Sequence, residues 1–96
     1  MEREKDIERY LVRRVKELGG VAYKFTSPGH AGVPDRLVCL PPGRAWFVEL
    51  KAPGQAPRPL QEAEIGRLRG LGFPVFVIDC REGVDALLRR MGGDAK

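Results

Sequence analysis

Ile7, Leu11, Val15 and Leu18 recur every three or four positions and share an arc of about 80° on a helical wheel. The spacing predicts a helix over 4–18, stopped by Gly19-Gly20. Residues 21–25 are short, β-branched and aromatic, and predict a strand. Residues 26–34 hold Ser, Pro and Gly and read as a loop. A second strand is expected over 35–40, a turn over 41–44 and a third strand over 45–51, and so short a connection makes the two strands antiparallel. A Pro-rich connector covers 52–59. Helical spacing returns over 60–71, with Leu60, Ile65 and Leu68 as its expected buried face. Residues 74–78 are almost wholly apolar and predict a strand covered on both faces. A last helix over 82–91 should bury Val84, Leu87 and Leu88, ahead of a polar tail over 92–96. The order α-β-β-β-α-β-α predicts one α/β domain over 1–96, with its core over about 4–91. It is a mixed central sheet flanked by helices, in which the last strand lies parallel to an earlier one.

Alternation along the third strand exposes an anomaly. Trp46, Val48 and Leu50 share one face, while Phe47, Glu49 and Lys51 share the other. A carboxylate and an ammonium thus end an otherwise apolar strand, and neither is buried cheaply without a partner. If the second and third strands pair through the 41–44 turn, Asp35 comes to lie near Glu49. Two convergent carboxylates suit a hard dication such as Mg²⁺ or Mn²⁺, and a lysine beside them can orient a water. Those parts suffice for metal-assisted phosphodiester hydrolysis. A surface ion pair between Glu49 and Lys51, with Asp35 a turn residue, is the plainer alternative on spacing alone.

Composition narrows the partners. In 96 residues, 17 Lys and Arg against 13 Asp and Glu leave a net charge of +4, a modest bias towards anionic partners. No apolar run reaches the roughly 20 residues that span a bilayer, and the first residues lack the apolar stretch of a signal peptide. Cys39 and Cys80 are too few for a disulfide framework and lack zinc-site spacing. The expectation is a soluble protein of the cytoplasm with no membrane partner.

Pro34-Asp35 followed by Glu49-Leu50-Lys51 resembles the PD-(D/E)xK nuclease signature. More narrowly, the chain is similar to the virus-type replication-repair nuclease (VRR-NUC) family from about residue 4 to residue 88. The likeness is carried by Lys24, the run Gly32-Val33-Pro34-Asp35-Arg36-Leu37-Val38, the run Phe47-Val48-Glu49-Leu50-Lys51-Ala52-Pro53-Gly54, and Gln61. The resemblance implies a restriction-endonuclease-like αβββαβα core. It also implies Mg²⁺ or Mn²⁺ held by Asp35, Glu49 and the backbone carbonyl of Leu50, with Lys51 assisting the attacking water. Stand-alone members of this length are typically phage or prophage proteins, so it further implies a homodimeric DNA endonuclease selective for branched DNA such as Holliday junctions, at work in a bacterial or phage-infected cell.

A first-helix glutamate often completes such sites. Glu8 is the choice here for metal binding or catalysis, with Glu4 one turn earlier as its rival; a carboxylate near a helix N-terminus also has the macrodipole as a reason to be there. Gln61, in the first turn of the second helix, could serve catalysis or hold a phosphate, or act only as a cap partner. Lys24 is either a phosphate contact or an edge lysine. His30 could touch substrate from its loop or be solvated there. Cys39 and Cys80 read as small core residues, and Trp46 as core or dimer surface. Arg9, Arg13, Arg14 and Lys16 read as spread around the first helix rather than forming a stripe. Two other functions stay open: a non-catalytic nucleic-acid-binding module on the same fold, and a small structural α/β domain in which the carboxylates are incidental.

Overall fold

A computed structural model describes residues 2–92. Helix α1 (Glu4–Glu17) leads into strand β1 (Val21–Lys24), then β2 (Arg36–Leu40) and β3 (Arg44–Leu50). Helix α2 (Pro59–Gly70), strand β4 (Val75–Ile78) and helix α3 (Arg81–Arg90) follow. The expected order of elements is the observed one, with ends moved by one residue or so, as frayed termini allow. Of the polar tail, only Gly92 lies within the described residues. No helix among them is long and apolar enough to cross a membrane.

The strands form one sheet in the order β1-β2-β3-β4. β1 and β3 each run antiparallel to β2, and β4 runs parallel to β3. Alternation sorts the side chains between two unequal layers. On one face, Ala22, Val38, Trp46, Val48, Leu50 and Ile78 meet Ile7, Leu11 and Val15 of α1 and Val84, Leu87 and Leu88 of α3 in the main core. The two helices are also tied by Asp85, whose Oδ1 accepts from the Tyr10 hydroxyl at 2.6 Å and from Arg14 Nε at 3.2 Å. Trp46 is 1% exposed and belongs to this core, which removes it from any dimer or base-stacking surface.

The other face carries only α2, and the sequence reading needs correction there. Ile65 is buried, but Leu68 is half-buried and Leu60 is 59% exposed. On a helical wheel Leu60 stands well away from Ile65, and the position one turn before Ile65 that faces the sheet is Gln61. β4 is not covered on both faces either. Val75 is buried beneath α2, but Val77 is 37% exposed, because a single helix cannot roof a four-stranded sheet. Val21 and Tyr23 on β1 are exposed for the same reason. The cysteines are half-buried rather than core, and Cys80 Sγ caps α3 by accepting the Gly83 N–H at 3.3 Å.

Candidate active site

The candidate site at one end of the sheet is built by register. Arg36 pairs with Val48, so Asp35, one residue earlier, comes level with Glu49, one residue later. Asp35 is fixed on both sides. Its carbonyl accepts the Phe25 N–H at 2.8 Å, and its Oδ2 accepts the Leu50 N–H at 2.8 Å. Lys51 continues β3 through its N–H to the Ile78 carbonyl at 2.9 Å. The chain therefore presents Asp35, Glu49 and Lys51 as one group at the strand ends.

Glu49 is 1% exposed and Lys51 9%. Glu49 Oε2 lies 3.3 Å from Lys51 Nζ and accepts from Gln61 Nε2 at 2.8 Å. Its Oε1 is buried with no hydrogen-bond partner. A buried carboxylate oxygen left unmet costs on the order of 1–3 kcal/mol or more. Burial first, and the Asp35 charge second, push the Glu49 carboxyl above its ordinary value; Lys51 and the Asp35 amide pull it down without cancelling the rise. An unmet oxygen whose proton affinity is raised by burial and by a neighbouring carboxylate has the chemistry to take a dication. The donor set fits a hard metal: Asp35 Oδ1 and Glu49 Oε1 take no hydrogen bond from the described residues.

Gln61 reaches the site as a positioning group. Its Oε1 accepts the Arg58 N–H at 2.9 Å, closing the first turn of α2, while its Nε2 donates to Glu49. Both ends of the amide are thereby engaged by the protein, while one Nε2 hydrogen stays available to a further acceptor. Gln61 serves as cap and as site residue at once.

The structure does not gather the remaining residues here. Glu8 Oε2 accepts two hydrogen bonds from Arg36, at 3.0 Å from Nε and 2.8 Å from Nη2, and Arg36 Nη1 also holds the Ala22 carbonyl. Arg36 is level with Val48, on the α1 side of the sheet, while Glu49 points to the α2 side. Among the described residues, no three His, Cys, Asp or Glu side chains come together as a metal site, so Glu8 does not join Asp35 and Glu49. Glu8→Gln should then leave Mn²⁺ affinity in calorimetry within about twofold of wild type, while weakening the charge-assisted contact with Arg36 by about 1 kcal/mol in thermal unfolding. Lys24 is level with Arg36 and so starts from the same α1 side. His30 Nε2 lies 2.8 Å from Glu64 Oε1, in a concavity between its loop and α2. The partnership of Arg36 with Glu8 and that of Glu64 with His30 had no signal in the sequence, since the partners stand 28 and 34 residues apart.

Gly32 shows why the loop before Asp35 needs glycine. Its φ is +90°, and a Cβ there would stand 2.8 Å from the Leu60 carbonyl oxygen at the start of α2. Gly32→Ala should destabilise the fold by about 2 kcal/mol or more, measured by urea denaturation, because strain and clash add.

No family model matches the sequence. The chain is 55% identical over 80 residues to a protein of Acyrthosiphon pisum secondary endosymbiont phage 1 that bears the name "Putative nuclease p44", covering 83% of this chain and 86% of that one. A solved structure of a VRR_NUC domain superposes with a TM-score of 0.84 at 39% identity, covering 90% of this chain and 94% of the other.

Proposed function

Because the chain belongs to the VRR-NUC nuclease family, we propose that it is a Mg²⁺- or Mn²⁺-dependent DNA endonuclease whose site is Asp35, Glu49, the Leu50 carbonyl and Lys51. The single observation that carries the reading is the buried, unpartnered Glu49 Oε1 beside Asp35. In a phosphodiesterase that oxygen has a ligand's task. A bound dication would supply Lewis acidity at a phosphate oxygen and lower the pKa of a water.

The chain's own residues do the rest. Asp35, pinned by the Leu50 amide, and Glu49, pinned by Gln61, hold their oxygens in fixed positions before substrate arrives. Lys51 lies on the same strand end, buried enough to exclude bulk water from its contact with Glu49. There it orients the attacking water by hydrogen bond and offsets charge developing on the phosphorus oxygens. Water adds to phosphorus and gives up a proton to solvent, the P–O bond to the leaving sugar oxygen breaks, and that oxygen takes up a proton from solvent.

The reading includes a homodimer. Two copies related by a two-fold axis would place two sites on opposite strands of a branched substrate. Linear duplex, single strand, flap and four-way junction are incubated with Mg²⁺, Mn²⁺ or chelator. The proposal expects metal-dependent cleavage, fastest on the junction, with sedimentation showing a dimer at micromolar concentration. Cleavage surviving chelator removes the metal site; a fully active monomer removes the dimer. Tight DNA binding without cleavage in either metal returns the chain to the binding-module reading.

A further inference from the structure

The outer face of α1 carries a basic stripe that the sequence reading dispersed. Lys5, Arg9, Arg13 and Lys16 follow one another at spacings of four, four and three residues, and all four are exposed. Arg14, which obscured the pattern, points elsewhere and binds Asp85. With Arg36, the four line one groove of about 530 Å³, completed by Val12 and Glu8. The groove thus holds five cations and a single carboxylate. That carboxylate is already taken by Arg36 through two hydrogen bonds. Arg13 has a long contact to Glu17 at 3.8 Å and lies over the Tyr10 ring, and Asp6 lies near enough to Arg9 to be affected by its charge. Among the described residues, no carboxylate stands within ion-pair distance of Lys5, Arg9 or Lys16.

Such an arrangement is unfavourable in isolation. Like charges four residues apart weaken a helix, and Lys5, Arg9 and Arg13 form two such pairs in succession. Two cations on the later helices are engaged within the molecule: Arg69 donates to the Val75 carbonyl, and Arg90 lies over the Phe76 ring. Arg36 follows Asp35 in the chain, so the groove reaches the same end of the sheet as the candidate site, on the opposite face. From Lys5 to Lys16 the helix rises about 16 Å, roughly half a turn of duplex DNA, whose backbone carries one negative charge per about 1.7 Å of axis.

We infer that the groove along α1 seats the phosphate backbone of the duplex arm leading to the cleavage site, with Lys5, Arg9 and Lys16 as its sequence-independent contacts. The inference rests on the nuclease reading above, and the experiment separates the two. Binding of a fluorescent 30-base-pair duplex and of a four-way junction is measured by anisotropy in Ca²⁺ from 50 to 300 mM salt. Wild type is compared with Arg9→Ala/Lys16→Ala and with Arg67→Ala/Arg89→Ala, which loses equal charge from exposed positions on α2 and α3. Turnover of a mononucleotide p-nitrophenyl ester in Mn²⁺ reports the site alone. The expected result is a salt slope reduced by about 2 and affinity reduced at least tenfold at 0.1 M salt in the α1 variant only. Its ester turnover stays unchanged. A wild-type slope in that variant, with DNA cleavage intact, overturns the groove and leaves the nuclease. Equal losses in both variants also overturn it, since the effect is then net charge. Binding of wild type to phosphatidylserine vesicles but not to DNA overturns it in favour of a membrane surface, and failure of the ester assay as well overturns the nuclease.

Discussion

Lys51→Ala is expected to lower metal-dependent DNA cleavage by about two to four orders of magnitude, the range for losing a positioned group that acts on the attacking water or the developing charge. The loss should fall on kcat, with duplex affinity in Ca²⁺ within a few-fold of wild type. Lys51 is nearly buried and its ammonium faces Glu49, not the outer surface where backbone contacts are made. Lys51→Arg keeps the charge but brings a planar fork into a space shaped for a point charge, so partial activity at best is expected. The comparison is made by single-turnover kinetics on one labelled substrate. Cleavage by Lys51→Ala within tenfold of wild type would remove Lys51 from the chemistry and leave it as a partner that offsets the Glu49 charge.

Glu49→Gln should show the opposite signs in stability and activity. Burial and the Asp35 charge hold the folded-state pKa of Glu49 above its ordinary value of 4.5. The folded chain therefore binds this proton more tightly than the unfolded chain does. The stability linked to the group is fully present below the unfolded value and is lost as pH rises through the folded one. At neutral pH, without metal, the protein carries an ionised carboxylate that is half satisfied. The glutamine keeps an oxygen for Lys51 and Gln61 and removes the charge. Thermal unfolding at pH 7.5 in chelator should show the variant melting a few degrees above wild type, since each kcal/mol moves the midpoint of a domain this size by about 4–8 °C. The gap should close towards pH 4. Adding Mn²⁺ should raise the midpoint of wild type alone, because binding only to the folded state stabilises it by mass action. Cleavage by the variant should be below detection. If the variant melts lower than wild type in chelator at every pH, the crowding of Asp35 and Glu49 is not the source of strain.

Some of this was legible before any coordinates. Alternation alone put Glu49 and Lys51 on one face of β3, and the short 41–44 connection put Asp35 level with them, because both rules are local and a strand has only two faces. The run from Gly32 to Asp35 was likewise readable as a motif, although its need for glycine became physical only when the Leu60 carbonyl was found against it. The helix over 60–71 was read less well. Leu60 is apolar and so reads as buried, whereas the position facing the sheet belongs to Gln61, whose amide meets a carboxylate there.

Periodicity and a hairpin too short to pair otherwise were enough for the order of elements, the buried faces of α1 and α3, and the trio at the strand ends. The partners of the charged groups came from packing in three dimensions. Glu8 went to Arg36, Gln61 to Glu49 and Arg14 to Asp85, leaving Lys5, Arg9 and Lys16 facing outward together. A charge declares its presence in the chain but not its counterpart, because ion pairs and hydrogen bonds are settled by distances of about 3 Å between residues that may stand far apart in sequence.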